Sequence, residues 1–316
     1  LANNMGTDAN ESKKIMHKKS TVQLNMEGER TINQYKFIKQ LGKGAFGVVE
    51  LAIDQETKIE YAIKKQSKKL MKKKALTVSK ESFNLLQREI AIMKKVHHPN
   101  LVCLYEVIED DEEQDLYLIM DYMDLGSLGC SKHMAYLKLN KTIPENILWD
   151  FYRHCLCGLD YLHNVAHVIH CDIKPENILV NSKGQVKISD FGISKMMENK
   201  NEKLTKIGGT KLFLPPETWL AESFEGAPVD IWSLAVTFYN LYYKAFPFFH
   251  MDPHKYQELA EKSEPVYPEP INPQFKDLLQ RSLIKDPAKR ITLKEIFNHP
   301  WITKNGTLPL ELCKGE

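Results

Sequence analysis

His170-Cys171-Asp172-Ile173-Lys174-Pro175-Glu176-Asn177 is the stretch of this 316-residue chain from which the rest can be read. Thirteen residues after Asn177 stands a second acidic corner, Asp190-Phe191-Gly192. Two short apolar runs, Ile178 to Val180 and Val186 to Ile188, join them as strands would. An Asp, a Lys, an Asn and a second Asp are thus carried on two neighbouring loops. That set suits phosphoryl transfer. One carboxylate can accept a hydroxyl proton, an amide and a second carboxylate can hold a divalent cation, and an ammonium can sit on the moving phosphate.

Composition bounds the answer without naming it. The length exceeds the usual single-domain size, so one bilobed domain or two domains are expected. With 43% hydrophobic residues there is material for a large core, and a net charge of +2 provides no global field for nucleic acid. No apolar run approaches bilayer length, so no membrane is expected as a partner. The six cysteines are scattered, without the spacing of a zinc site or a disulfide framework. A reducing compartment, the cytoplasm or the nucleus, follows.

Residues 1–33 are polar and without period, and read as a disordered N-terminal tail. Gly42-Lys43-Gly44-Ala45-Phe46-Gly47-Val48-Val49 follows the apolar Leu41. Glycines let backbone amides approach phosphate oxygens. In dinucleotide folds a helix follows such glycines; here Val49, Leu51 and Ile53 alternate as a strand does. Tyr61-Ala62-Ile63-Lys64 ends the next strand, and a Lys closing a buried run needs a charge partner. Phe83, Leu86, Ile90 and Met93 mark an amphipathic helix with Glu89 beside its apolar stripe. Glu81 fits that helical pattern less well. Between lies a lysine-rich insertion with Lys72, Lys73 and Lys74, read as a solvated segment or as a docking surface for an acidic partner. Leu101 to Ile108 and Leu116 to Met120 read as two strands around the acidic run Glu109 to Glu113.

The second part turns helical. Ile147, Leu148, Phe151, Tyr152, Cys155, Leu159 and Leu162 form one apolar stripe. Ile231, Leu234, Ala235, Phe238, Leu241 and Tyr242 form another helix, apolar nearly all round and therefore central. His163, His167 and His170 read as structural, because nothing completes a metal set. Arg290 downstream could pair with Glu217, which follows Pro215-Pro216, or the two are unrelated surface charges.

In this order the motifs resemble those of eukaryotic serine/threonine protein kinases, from about Tyr35 to Ile302. The resemblance implies an α+β, bilobed fold over 35–302, with a small β-rich lobe (35–120), a larger helical lobe (121–302) and ATP in the cleft. Residues 303–316 then form a C-terminal tail. Roles carry over by position: Asp172 deprotonates the acceptor hydroxyl, Lys174 neutralises the γ-phosphate, and Asn177 and Asp190 hold Mg²⁺. Lys64, fixed by Glu89, positions the α- and β-phosphates beneath the loop Gly42 to Gly47. Ala62, Met120, Asp121, Met123 and Leu179 enclose the adenine. Thr210 touches the catalytic Asp and Lys, as in the serine/threonine class. A buried pair of Glu217 with Arg290 is implied as well. The partner is a protein substrate.

Three residues depart from the pattern: Cys171 replaces the usual Arg before the catalytic Asp, Pro215 replaces Ala, and Ala235 replaces Gly. Without that Arg, weak dependence on activation-loop phosphate at Thr205 is expected. The insertion after Lys64, Asn100-Leu101-Val102, Gly208-Gly209-Thr210 and His299-Pro300-Trp301 resemble calcium/calmodulin-dependent kinase kinases. There the substrate is another kinase's activation-loop Thr. That family's insertion is Arg- and Pro-rich, whereas this one is Lys-rich. No basic amphipathic calmodulin target is visible here. A general calcium/calmodulin-type kinase is the close alternative, and a kinase-shaped interaction module the third. Retention of Lys64, Asp172, Asn177 and Asp190 argues against the module.

Overall fold

A computed structural model of the chain describes residues 15–24, 26, 28–43, 47–68, 81–110, 112–129, 143–199 and 202–313. The chain divides into two compact units, one of residues 1–78 and 104–122, the other of residues 79–103 and 123–316.

The first unit is a sheet of eight strands. In chain order these are β1 (Met16–Lys19), β2 (Gln23–Leu24), β3 (Arg30–Ile32), β4 (Tyr35–Lys43), β5 (Gly47–Asp54), β6 (Glu60–Ser67), β7 (Leu104–Asp110) and β8 (Asp115–Asp121). The spatial order is β1-β7-β8-β6-β5-β4-β3-β2. All neighbours are antiparallel except β1 on β7. Ile32, Tyr35, Ala52, Ile63, Ile108, Tyr117 and Ile119 form its buried core.

Two expectations are corrected here. Of the tail expected over residues 1–33, the described residues from Met16 to Ile32 instead supply β1, β2 and β3, which lie at both edges of the sheet, while residues 1–14 lie outside the described residues. Composition hid this because the strands are short and polar. They are held by backbone pairing and by ion pairs, Lys18 to Glu106 at 2.9 Å and Arg30 to Glu50 at 2.9 Å. The alternation expected in β5 also fails: Leu51 and Ala52 are both buried, while Ile53 is half-buried. Glu50 and Asp54 are buried as well, since each has partners. Glu50 takes Arg30, and Asp54 Oδ1 accepts the amides of Glu56 and Thr57 at 2.8 and 3.0 Å. The lysine-rich insertion, with Lys72, Lys73 and Lys74, lies outside the described residues.

The second unit opens with helix α1 (Glu81–Lys95). The sequence reading set this helix in the small lobe. It groups with the second unit, where the segment behind it is tied to a strand: Val102 N donates to Ile188 O and Ile188 N to Asn100 O, both at 2.9 Å. Leu86, Glu89 and Met93 are buried on one face and Ile90 is only half-buried, so Glu89 belongs to the buried stripe itself. Helix α2 (Glu145–Asp160) runs into a π-helical turn at Tyr161–Ala166. Short strands follow: β9 (Gly126–Ser127) precedes α2, then β10 (Val168–Ile169), β11 (Ile178–Val180), β12 (Val186–Ile188), β13 (Lys195–Met196), β14 (Lys203–Leu204) and β15 (Phe224–Glu225).

Around them lie α3 (Glu217–Leu220), α4 (Ala227–Tyr243), α5 (Pro253–Lys262), α6 (Pro273–Ser282), α7 (Leu293–Phe297) and α8 (Pro300–Thr303). Helix α4 is buried from Val229 to Tyr239, as its all-round apolar sequence requires. The C-terminal segment, expected as a tail, is bonded to α2. Arg153 donates to the carbonyls of Ile302, Leu308 and Pro309 at 2.7, 2.8 and 3.2 Å.

Glu217 and Arg290 form the expected buried pair. The guanidinium reaches both carboxylate oxygens, at 2.6 and 2.9 Å, and also donates to Ile284 O and Pro228 O. Removing one partner leaves a buried charge unpaired. Glu217→Ala should therefore destabilise the second unit by roughly 3–5 kcal/mol in urea or thermal unfolding. A loss below about 1 kcal/mol would mean that the pair is hydrated in solution.

Candidate active site

The loop between β10 and β11 is held in an unusual conformation by polar atoms from α4. Cys171 has φ of +67°, in the left-handed region, where a side chain costs energy unless its surroundings enforce it. The enforcing group is the buried carboxylate of Asp230. Its Oδ2 accepts His170 N at 2.8 Å and its Oδ1 accepts Cys171 N at 2.9 Å. His163 Nε2 donates to the same carboxylate at 2.8 Å. The opposite side of the loop is also bonded: Ser194 Oγ donates to His170 O at 3.0 Å. Among the three histidines, His163 is therefore an anchor, and His170 Nε2 lies 3.0 Å from Ser189 O.

This backbone presents Asp172 to a tight set of donors. Lys174 Nζ donates to Asp172 Oδ2 at 2.6 Å and to Thr210 Oγ1 at 2.8 Å. Thr210 donates to Asp172 Oδ1 twice, from its backbone N at 3.1 Å and from Oγ1 at 3.0 Å. Asn177 Nδ2 donates to Asp172 O at 2.8 Å and to Oδ2 at 3.1 Å. Asp172, Lys174 and Thr210 thus close a triangle, although Thr210 lies 38 residues beyond Asp172. Burial alone would push the Asp172 carboxyl up. The bond and charge of Lys174, then the Thr210 hydroxyl, outweigh it and hold the group below the usual carboxylate range.

Gly209 sets the third corner. Its φ is +126°, and a Cβ there would stand 2.7 Å from Cys171 O. Only glycine lets the two loops approach so closely.

Asp190 also has a positive φ, +65°, and its Oδ1 accepts Gly192 N at 3.3 Å. The Glu89 carboxylate is nearby: a Cβ on Gly192 would lie 3.2 Å from Asp190 Oδ1 and 3.9 Å from Glu89 Oε2. Asn177 has both Nδ2 contacts on Asp172, so its amide oxygen is the function it can offer a cation. An amide oxygen and a carboxylate are hard oxygen donors. They fit Mg²⁺, which takes few protein ligands and keeps phosphate and water for the rest.

The remaining sequence-predicted residues are placed as follows. Leu41, Gly42 and Lys43 end β4, and Gly47, Val48 and Val49 begin β5. Gly44, Ala45 and Phe46 lie outside the described residues. A Cβ on Gly47 would fall 1.7 Å from Lys65 O, so strand packing alone requires that glycine. Ala62 and Lys64 are on β6, where Lys64 pairs with Val49 on one side and Leu118 on the other. Met120 and Asp121 close β8. In the second unit Met123 is buried, Leu179 lies on β11 opposite Ser127, and Glu89 is on α1. Sequence reasoning took His163 as structural, as it is, but did not place Asp230 as the anchor of the loop. The signal for Asp230 was an acidic residue inside a helix that is mostly apolar.

Cys171 is fully buried among Ile169, Met197, Leu204, Leu214, Phe224 and Val229. Burial, then the charge of Asp230, pushes its thiol well above the ordinary range, despite Lys195. A thiol so held is inert at neutral pH. Cys103, Cys155, Cys157, Cys171 and Cys313 are free thiols. Among the described residues no helix is long and apolar enough to cross a membrane.

A family model described as "Protein kinase domain" matches residues 35–302. A probable serine/threonine-protein kinase of Dictyostelium discoideum is 39% identical over 290 residues, covering 90% of this chain and 40% of that protein. A calcium/calmodulin-dependent protein kinase kinase of Caenorhabditis elegans is 35% identical over 327 residues, covering 95% and 58%. The serine/threonine-protein kinase GRIK1 of Arabidopsis thaliana is 34% identical over 288 residues, covering 91% and 71%. The chain therefore spans less than two thirds of the length of the first two relatives.

The triangle makes a measurable statement about Asp172. Its depressed carboxyl contributes stability above about pH 4, the ordinary carboxylate value, which is lost as pH falls through the folded value. Lys174→Met should raise the Asp172 titration midpoint, read by carbon NMR of labelled carboxylates. An unchanged midpoint would remove Lys174 as the cause.

Proposed function

This chain belongs to the protein kinase family, and from that membership we propose that it transfers the γ-phosphoryl group of ATP to a Ser or Thr hydroxyl of a protein substrate. The observation that carries the reading is the Asp172–Lys174–Thr210 triangle. A hydroxyl placed beside Asp172 is oriented by its carboxylate, which takes the proton as the oxygen bonds to phosphorus. The bond from the γ-phosphorus to the bridging oxygen breaks, and ADP leaves. Because the Asp172 carboxyl is held below its usual range, it stays ionised and competent to accept. Lys174 keeps its ammonium within reach of both Asp172 and Thr210, where it can balance charge on the moving group. Asn177 and Asp190 are the residues that would hold Mg²⁺, which when bound neutralises phosphate charge. Lys64 and the loop from Gly42 to Gly47 are assigned to the phosphates, and Ala62, Met120, Asp121, Met123 and Leu179 to the adenine, by position in the family pattern.

We assign the protein acceptor more narrowly as the activation-loop Thr of another kinase. What supports it is the 35% identity to the C. elegans kinase kinase, together with the resemblance to that family read from the sequence around Asn100, Gly208-Gly209-Thr210 and His299-Pro300-Trp301. A calmodulin partner is part of that assignment for any longer protein to which this chain belongs. The free thiols support a reducing compartment, with the cytoplasm as its site.

Activity should depend little on phosphate at Thr205. The residue before Asp172 is an apolar-seated Cys171, not a cation. The segment carrying Thr205 is held instead by backbone pairing, Lys203 with Glu225 and Leu204 with Phe224.

The deciding assay uses labelled Mg-ATP and two acceptors: a basic Ser/Thr peptide, and a catalytically dead kinase domain offering its activation-loop Thr. Asp172→Asn is the blank. Labelling of the kinase domain alone, lost in the blank, is the expected result. Preference for the peptide would move the protein to the general calcium/calmodulin-type group, and transfer to neither would revive the interaction-module reading. Phosphatase treatment should leave most of the activity, whereas collapse to background would refute the phosphate-independent assignment.

A further inference from the structure

Helix α4 is apolar nearly all round, yet three of its fully buried residues are polar: Asp230, Ser233 and Thr237. Their spacing of three and then four residues puts them on one face. A hydroxyl buried in an apolar helix costs free energy unless it is bonded. Each of the three bonds to backbone of the loops that build the site, and none bonds to another side chain of α4. Asp230 holds the amides of His170 and Cys171. Ser233 Oγ donates to Phe213 O at 2.8 Å. Thr237 Oγ1 donates to Ile173 O at 3.3 Å, a longer bond.

These two hydroxyls address opposite halves of the triangle. Ile173 lies between Asp172 and Lys174, so Thr237 fixes the peptide that spaces the carboxylate from the ammonium. Phe213 N donates to Thr210 O at 2.8 Å, closing the turn Lys211–Phe213 onto Thr210. A continuous line of bonds therefore runs from Ser233 through Phe213 to Thr210, and from the Thr210 hydroxyl to Asp172 Oδ1 at 3.0 Å. Both loops take their register from one rigid helix.

We infer that Ser233 and Thr237 are positioning residues, which set the separation of Asp172, Lys174 and Thr210 by holding Phe213 O and Ile173 O. The inference rests on the kinase reading above. Neither residue touches a reacting group; each acts through the peptide it holds. A misplacement of tenths of an ångström in such a site is read in turnover, not in substrate binding.

The test uses the whole chain with Ser233→Ala, Thr237→Val and Thr237→Ser, assayed well below their melting temperatures. Ser233→Ala and Thr237→Val should each lower kcat by about tenfold, with KM for ATP within about twofold of the parent. Thr237→Ser keeps the hydroxyl and should restore most of kcat. It also serves if Thr237→Val fails to fold: a loss in Thr237→Ser as large as that of Ser233→Ala would overturn the role of Thr237. A Thr210→Val background separates positioning from bulk stability. If Ser233 acts through Thr210, adding Ser233→Ala there should lower kcat by less than about twofold, because coupled residues are non-additive. A full multiplicative loss, or unchanged kcat in the single variants, would overturn the inference while leaving the kinase reading intact. Absence of transfer by the parent chain would overturn both.

Discussion

The buried carboxylate of Asp230 is the constraint from which the site is built. It accepts two consecutive backbone amides and a histidine ring nitrogen, all within 2.9 Å. A carboxylate with no solvent must have its oxygens occupied, and the loop before Asp172 supplies the donors. In return the carboxylate holds Cys171 in a left-handed conformation that its own preferences oppose. That turn aims the next residue, Asp172, at Lys174 and Thr210. Without Asp230, Asp172 and Lys174 would still lie two positions apart in the sequence, but the two amides that set the turn before Asp172 would lose their acceptor.

The polar grip has an apolar counterpart. Cys171 faces Met197, Leu204, Leu214, Phe224 and Val229, which come from the segment after Asp190 and from the start of α4. Close packing there draws that segment onto the loop before Asp172, and Gly209 allows the last approach, to Cys171 O. An Arg at position 171 would bring a charge to this site that could not be buried without a partner. The small thiol is compatible with a segment held by packing and strand pairing.

Local pattern was a good guide where one interaction dominated. The strands Ile178–Val180 and Val186–Ile188 were legible because their apolar runs are short and bounded by polar turns. Helix α4 was legible because burial on all sides needs an apolar sequence on all sides. Pattern misled where a polar residue was buried with a partner distant in sequence. Glu50 sits in the sheet because Arg30 reaches it, and Glu89 lies on the buried face of α1. Strands β1 to β3 looked like tail because backbone pairing to a sheet edge leaves almost no trace in composition.

The sequence by itself determined the family, the order of the motifs and the identity of the chemical groups, since a phosphoryl-transfer site needs particular residue types at short spacings. It placed Asp172, Lys174, Asn177 and Asp190 within one short stretch of chain. The family pattern also named Thr210 as a neighbour of Asp172 and Lys174; tertiary structure alone decided the geometry of that triangle, and that Asp230, Ser233 and Thr237 hold the loops in register. The reason is physical. Spacing along the chain limits how far apart two groups can be, but it does not orient them. Orientation here is added by hydrogen bonds between residues 20 to 64 positions apart, three of them made by α4, and no local spacing specifies those.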